Sequence, residues 1–163
     1  MGSEMCIRDR AMPLWQSELP SSVHISNGLA TMGYALPAAI AAATALPDRK
    51  VICFVGDGGL GMALGELELL SRRQLDLTVI VFNDASLSLI KLKQGANQGG
   101  QNAIGYAPIS FAGVAEAFGI ASASASDCAE FSAALDKSAG VPFLIDAHID
   151  PADYVDIIKT ARG

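Results

Sequence analysis

Apolar positions along this chain fall into two patterns. Residues 51–55 (Val-Ile-Cys-Phe-Val) and 77–82 (Leu-Thr-Val-Ile-Val-Phe) are short continuous apolar runs. Such runs suit strands buried on both faces of a parallel sheet. Between them Leu60, Ala63, Leu64, Leu67 and Leu70 recur at helical spacing, with Glu66, Glu68, Arg72 and Arg73 on the other faces. Strand, helix and strand over about 30 residues make a βαβ unit, which demands parallel pairing and a right-handed crossover.

The same reading extends outward. Residues 20–33 are small, polar and glycine-containing, and predict a loop. Residues 34–46 are alanine-rich and nearly all apolar, and predict a buried helix with Pro37 in its first turn, ended by Pro47 and Asp48. Helices are predicted over 86–94, 110–118, 127–138 and 153–161, a glycine- and asparagine-rich loop over 95–109, and a third strand over 142–147. Strands alternating with helices predict an α/β fold, a three-layer α/β/α arrangement around a mostly parallel sheet.

Composition narrows the function classes. Of 163 residues 51% are hydrophobic and 17% charged, which excludes disorder and predicts a large core. No apolar run reaches the roughly 18 residues of a membrane span. The net charge of −6 speaks against a nucleic-acid or polybasic membrane partner. Three cysteines (Cys6, Cys53, Cys128) are odd in number and far apart, which fits a reducing cytoplasm, and two histidines (His24, His148) exclude a His-rich zinc site. The first ten residues, MGSEMCIRDR, are polar and without hydrophobic period. They read as a tag or foreign leader, and residues 11–163 as one domain.

Ligands of such sheets bind beyond the carboxyl ends of the strands. Two polar clusters fall there. Gly56-Asp57-Gly58-Gly59 follows the first strand and opens a helix. Its glycines let backbone N–H groups approach an anion closely. Asn83-Asp84 follows the second strand. Adjacent strands set the clusters side by side, so that Asp57 and Asp84 can share one hard divalent cation through oxygen. Magnesium takes few protein carboxylates and completes its shell with phosphate and water, so the pair suggests a Mg²⁺-diphosphate site.

Gly-Asp-Gly-Gly followed at this distance by Asn83-Asp84 resembles the signature of thiamine diphosphate-dependent enzymes. The stretch from Asn27 to Ala42 is similar to the segment preceding that signature in acetolactate synthases and related 2-oxo acid decarboxylases. The resemblance covers about residues 20–160, the C-terminal diphosphate-binding domain of those enzymes.

The resemblance implies roles. Asp57, Asp84 and the Ser86 backbone carbonyl would bind Mg²⁺, with Asn83 shaping the turn and supporting the metal. Gly56, Gly58, Gly59 and the Leu87–Ser88 backbone would hold the diphosphate. Met32 would sit under the cofactor and enforce its bent form, and the Ala30 carbonyl would accept from the aminopyrimidine amine. Leu89 and Ile90 would line the substrate side. Ala30 stands where the family usually carries glycine, a change without effect if only its carbonyl is used. Asp84 stands where many members carry Asn, Ile90 where pyruvate decarboxylases carry Glu, and Lys93 where biosynthetic acetolactate synthases often carry Trp. The family's Gly-x-His segment is absent near residues 5–7.

The implied reaction is decarboxylation of a 2-oxo acid such as pyruvate, then addition to a carbonyl acceptor. The activating Glu belongs to a pyrimidine-binding domain absent from this chain, normally supplied by another subunit of a homo-oligomer. The resemblance therefore implies a domain inactive alone, and any FAD would sit in a missing middle domain. Two other readings stand beside this one: a natural β-subunit of a split enzyme, and a nucleotide- or diphosphate-binding module without carbon–carbon chemistry. Lys91 and Lys93 read as a solvated helix face, Glu66 and Glu68 as structural or interfacial, His148 as structural, His24 as a loop or interface residue, and Cys53 as an inert buried thiol.

Overall fold

Side chains alternate sides along a strand, and here that alternation sorts the core into two layers. The computed structural model describes residues 15–17, 19–26, 28–88, 90–91, 104–152 and 154. The elements run α1 (Ala35–Ala45), β1 (Val51–Gly56), α2 (Asp57–Gly61), α3 (Glu66–Arg73), β2 (Leu77–Asn83), α4 (Phe111–Ala117), β3 (Ala121–Ala125), α5 (Cys128–Lys137) and β4 (Phe143–His148). Among the described residues four strands form one sheet in the order β1-β2-β4-β3. Every pairing is parallel.

On one face Cys53, Val55, Leu77, Val79, Val81 and Leu144 pack under Leu36 and Ile40 of α1, Leu67 and Leu70 of α3, and Phe111 and Ala115 of α4. On the other, Ile80, Phe143 and Ile145 pack under Ala134 of α5, with Phe131 and Leu135 partly buried beside them. Helices on both faces make the three layers predicted. Each fully buried Leu, Ile or Phe contributes roughly 1.5–3 kcal/mol relative to exposure. Burial also pushes the Cys53 thiol up to about 12, so it stays protonated and inert as predicted. Trp15 packs edge-on against Phe54, which stacks on Phe82.

Three predictions need correction. The sheet has a strand that apolar patterning misses: Ala-Ser-Ala-Ser-Ala at 121–125. Among the described residues it pairs only with β4, at the sheet edge, where small half-exposed side chains suffice. The helix after Gly59 is not continuous. It breaks at 62–65, where Ala63, Glu66, Leu67 and Glu68 donate three residues back rather than four. Gly61 and Gly65 flank the break, and the apolar stripe continues across it because i, i+3 and i, i+4 spacings share one face. The segment read as loop 95–109 also carries structure, since Gly105 bridges Ser86 in antiparallel fashion. The predicted helix 86–94 is seen in Ser88, Ile90 and Lys91, its end lying outside the described residues. The closing helix 153–161 lies outside them too, apart from Tyr154, which is helical. Residues 1–10 are also outside.

The topology decides where a ligand can sit. β2 lies between β1 and β4, and the chain passes over β4 to form β3 before returning. The carboxyl ends of β1, β2 and β4 therefore lie side by side along one edge, with Gly56 beside Phe82 and Asn83 beside His148 in the register.

Candidate functional site

Asp57 opens α2 directly beyond β1 and is 5% exposed. Its Oδ1 accepts the Gly58 N–H at 2.7 Å, and its Oδ2 accepts the Asp84 N–H at 3.3 Å. The second bond ties the ends of neighbouring strands together and sets the two acidic residues side by side. The Tyr106 hydroxyl is buried close by, 3.5 Å from where a Cβ on Gly58 would stand. Burial pushes the Asp57 carboxyl above the usual carboxylate range. The neighbouring Tyr106 and the N–H groups of Gly58 and Asp84 pull it back, and the nearby Asp84 charge adds to the rise.

Asp84 is held by its own loop. Its Oδ1 accepts the Ser86 N–H at 3.1 Å and its Oδ2 the Ser88 hydroxyl at 2.6 Å. The turn between them places Ala85 at φ +53°, a left-handed conformation that costs a non-glycine residue about 1–2 kcal/mol. The segment 104–106 returns against this loop. Leu87 N–H donates to Ile104 O at 2.8 Å, and Tyr106 N–H to Ala85 O at 3.3 Å. These bonds straddle the Ser86–Gly105 bridge, so the Ser86 carbonyl points away from the returning segment. It is free on that side to face a ligand.

Gly58 lies under a close ceiling. A Cβ there would stand 2.8 Å from Leu87 Cδ2, 3.0 Å from Met32 Cε and 3.5 Å from the Tyr106 hydroxyl. Met32 and Leu87 thus converge on Gly58. Ala30 adopts φ +50°. The reading of Ala30 as a change without effect is therefore incomplete, because this backbone favours glycine whatever its carbonyl does.

Other assignments fare differently. The Gly58 N–H is committed to Asp57, and the Leu87 N–H to Ile104, which leaves Gly59 and Ser88 as the backbone candidates of that set. Gly56 is extended backbone at the end of β1. Asn83 turns to the α4 face, where its amide donates to Asp146 Oδ1 at 2.9 Å and Ile109 O at 3.0 Å. Its amide nitrogen is thus spent on the core. Ile90 is exposed, and Leu89 and Lys93 lie outside the described residues. Glu68 pairs with Arg72 at the surface.

Two residues escaped sequence reading. Tyr106 sat in a stretch read as loop. Asp146 is fully buried in β4, and its Oδ2 accepts the N–H groups of Phe111 (2.8 Å) and Ala112 (3.3 Å) at the start of α4. His148 Nε2 lies 3.9 Å from the same oxygen, which fits its structural reading. The signal for Asp146 was present as a lone carboxylate inside the apolar run Pro-Phe-Leu-Ile-Asp-Ala.

Among the described residues no group of three or more His, Cys, Asp or Glu gathers as a self-sufficient metal site. Magnesium characteristically takes one or two carboxylates and completes its shell with phosphate and water.

Comparison with known proteins decides the family. Residues 6–147 match the family described as thiamine pyrophosphate enzyme, C-terminal TPP binding domain. This chain belongs to that family. It is 40% identical over 134 residues to the acetolactate synthase isozyme 1 large subunit of Escherichia coli K12, covering 80% of this chain and 24% of that protein. It is 33% identical over 150 residues to a probable acetolactate synthase large subunit of Methanococcus aeolicus, covering 88% and 25%. Among solved structures it is similar to a thiamine diphosphate-dependent 4-hydroxybenzoylformate decarboxylase of Rhodococcus jostii RHA1. The TM-score is 0.66 and the identity 26%, covering 74% of this chain and 24% of that one. The chain is thus a TPP-binding domain of acetolactate synthase-like enzymes and spans about a quarter of the length of these relatives. Neither the split-subunit reading nor the nucleotide-module reading is favoured. Among the described residues no helix is long and apolar enough to cross a membrane.

Proposed function

We propose that this domain holds the Mg²⁺-diphosphate end of thiamine diphosphate at the carboxyl edge of β1 and β2. The observation that carries the reading is the Asp84 N–H to Asp57 Oδ2 bond, which sets two carboxylates side by side across adjacent strands. Asp57, Asp84 and the Ser86 carbonyl would hold the ion, and the Gly59 and Ser88 backbone the diphosphate. Gly56 and Gly58 would permit close approach. The Ala30 carbonyl and Met32 would meet the rest of the cofactor, with Leu89 and Ile90 toward substrate. α2 is a single turn, so oriented N–H groups and the metal, rather than a long helix dipole, would neutralise the phosphates.

When bound, thiamine diphosphate supplies the carbanion-stabilising chemistry, and the protein contributes binding, orientation and electrostatics. The relatives that are acetolactate synthases support a full enzyme that decarboxylates a 2-oxo acid and joins the fragment to a carbonyl acceptor. In that reading residues 11–163 are one domain of a cytoplasmic homo-oligomer, and a pyrimidine-binding domain completes the site. Calorimetric titration of thiamine diphosphate into the chain tests this, with and without Mg²⁺ and with a pyrimidine-binding partner. Binding that requires Mg²⁺ is the expected result. Binding indifferent to Mg²⁺, or none with the partner present, contradicts it.

A further inference from the structure

The carboxylate of Asp84 is aimed by its own loop. An aspartate's terminal torsion is soft, so the group turns easily unless both oxygens are held. Here each oxygen accepts a donor: the Ser86 N–H reaches Oδ1 at 3.1 Å, and the Ser88 hydroxyl reaches Oδ2 at 2.6 Å. The second distance is that of a short, charge-assisted O–H···O⁻ bond. Asp57 differs, because backbone N–H groups, from Gly58 and Asp84, meet its two oxygens. The aim of Asp84 depends on a side chain.

Ser88 is itself held from behind. The Leu87 N–H donates to Ile104 O at 2.8 Å, and the Leu87 carbonyl accepts the N–H groups of Ile90 (2.9 Å) and Lys91 (3.1 Å). Ser88 is 9% exposed, which leaves water little access to replace its hydroxyl. The role that the family resemblance implies for Ser88 belongs to its backbone. The hydroxyl is a separate group with a separate partner.

We propose that Ser88 is a positioning residue for the metal: its hydroxyl fixes the rotation of the Asp84 carboxylate, so that the lone pairs left on it keep one direction. An ionised carboxylate has about four lone-pair sites, and the two donors of this loop leave each oxygen one. Magnesium demands near-ideal octahedral geometry at short distance, so it tolerates little misalignment of a ligand. Without the hydroxyl the carboxylate is free to swing about its bond to the Ser86 N–H. Affinity for the ion then falls although every ligand atom is still present. The inference rests on the reading of Asp84 as a metal ligand.

The test is Mg²⁺ affinity, measured by calorimetry on the chain with thiamine diphosphate and the pyrimidine-binding partner present. The variants are Ser88→Ala, which removes only the hydroxyl, and Ser88→Cys, which keeps the volume with a weak donor. Each is made in the wild type and in an Asp84→Ala background, and thermal melting verifies that each is folded. Ser88→Ala should lose about tenfold in the wild type and under about twofold in the Asp84→Ala background, because the hydroxyl acts only through that carboxylate. Ser88→Cys should fall between Ser88→Ala and the wild type, and it carries the same comparison if Ser88→Ala does not fold. A general packing role would cost the same in both backgrounds. That result, or an undiminished affinity in a folded variant, overturns the role of Ser88 while leaving the metal site standing. An Asp84→Ala chain that binds Mg²⁺ as the wild type does overturns Asp84 as a ligand, and this inference with it.

Discussion

Asn83 gives its side-chain amide to Asp146 at 2.9 Å, on the opposite side of the strand end from any ligand its neighbour Asp84 could hold. One polar pair in sequence thus serves two purposes. Asn83 fixes the end of β2 to β4 and α4, and Asp84, one residue on, is released to the sheet edge. Asp146 joins three donors in the core, from Asn83, Phe111 and Ala112.

Asp146→Ala strands those buried donors, each worth about 1–3 kcal/mol when left unsatisfied. The expected loss is about 3 kcal/mol or more, a fall in melting temperature on the order of 10 °C. Thermal melting of the metal-free chain checks it. A fall of under 2 °C would show that the network carries little stability.

Ala30 at φ +50° predicts the opposite sign for a different change. Ala30→Gly relieves left-handed strain and should stabilise the chain by about 1 kcal/mol, net of the extra unfolded-state entropy of glycine. Chemical denaturation gives the comparison. Destabilisation would mean that the Ala30 methyl makes a contact worth more than the strain.

Gly58→Ala places a methyl 2.8 Å from Leu87 Cδ2 and 3.0 Å from Met32 Cε. Both are far ends of flexible side chains, so the fold should survive at a cost of about 1–3 kcal/mol. Cofactor affinity should fall at least tenfold, because Met32 and Leu87 must leave their places. Calorimetry together with a melting curve separates the two effects. Undiminished affinity would remove Gly58 from the site.

Asp57 predicts a pH dependence. Its folded carboxyl titrates above its ordinary value of 3.8, chiefly through burial. The folded state then holds more protons than the unfolded chain between those two values. The stability due to this group is present below 3.8 and is lost as pH rises through the folded pKa. The melting temperature of the wild type, less that of Asp57→Asn, should therefore decline over that range without metal. Saturating Mg²⁺ with thiamine diphosphate favours the ionised form and should abolish the decline. A metal-free difference that rises with pH would mean that the hydrogen bonds outweigh burial.

Much of this was legible in the chain. Runs such as 51–55 and 77–82 announce buried parallel strands because a strand covered on both faces has no polar side. The edge strand 121–125 was not legible, since alanine and serine alternate there with too little apolar bulk to signal a sheet. Asp57 and Asp84 could be paired because the order strand, helix, strand places their strands together. Tyr106 could not, because its position depends on backbone bonds from a loop whose path no periodicity encodes. Neither could the commitment of Gly58 and Leu87 N–H groups to partners within the protein, which is visible only once the loops have closed.

The central claim is that Asp57 and Asp84 hold one ion between them. A double-mutant cycle measures it: Mg²⁺-dependent affinity for thiamine diphosphate in the wild type, Asp57→Ala, Asp84→Ala and the double variant. Ligands of one ion act as a unit, so each single change should lose on the order of 10–100-fold, and the double variant little more than either. Losses that simply multiply, or a double variant whose Mg²⁺-dependent affinity is undiminished, would contradict a shared site.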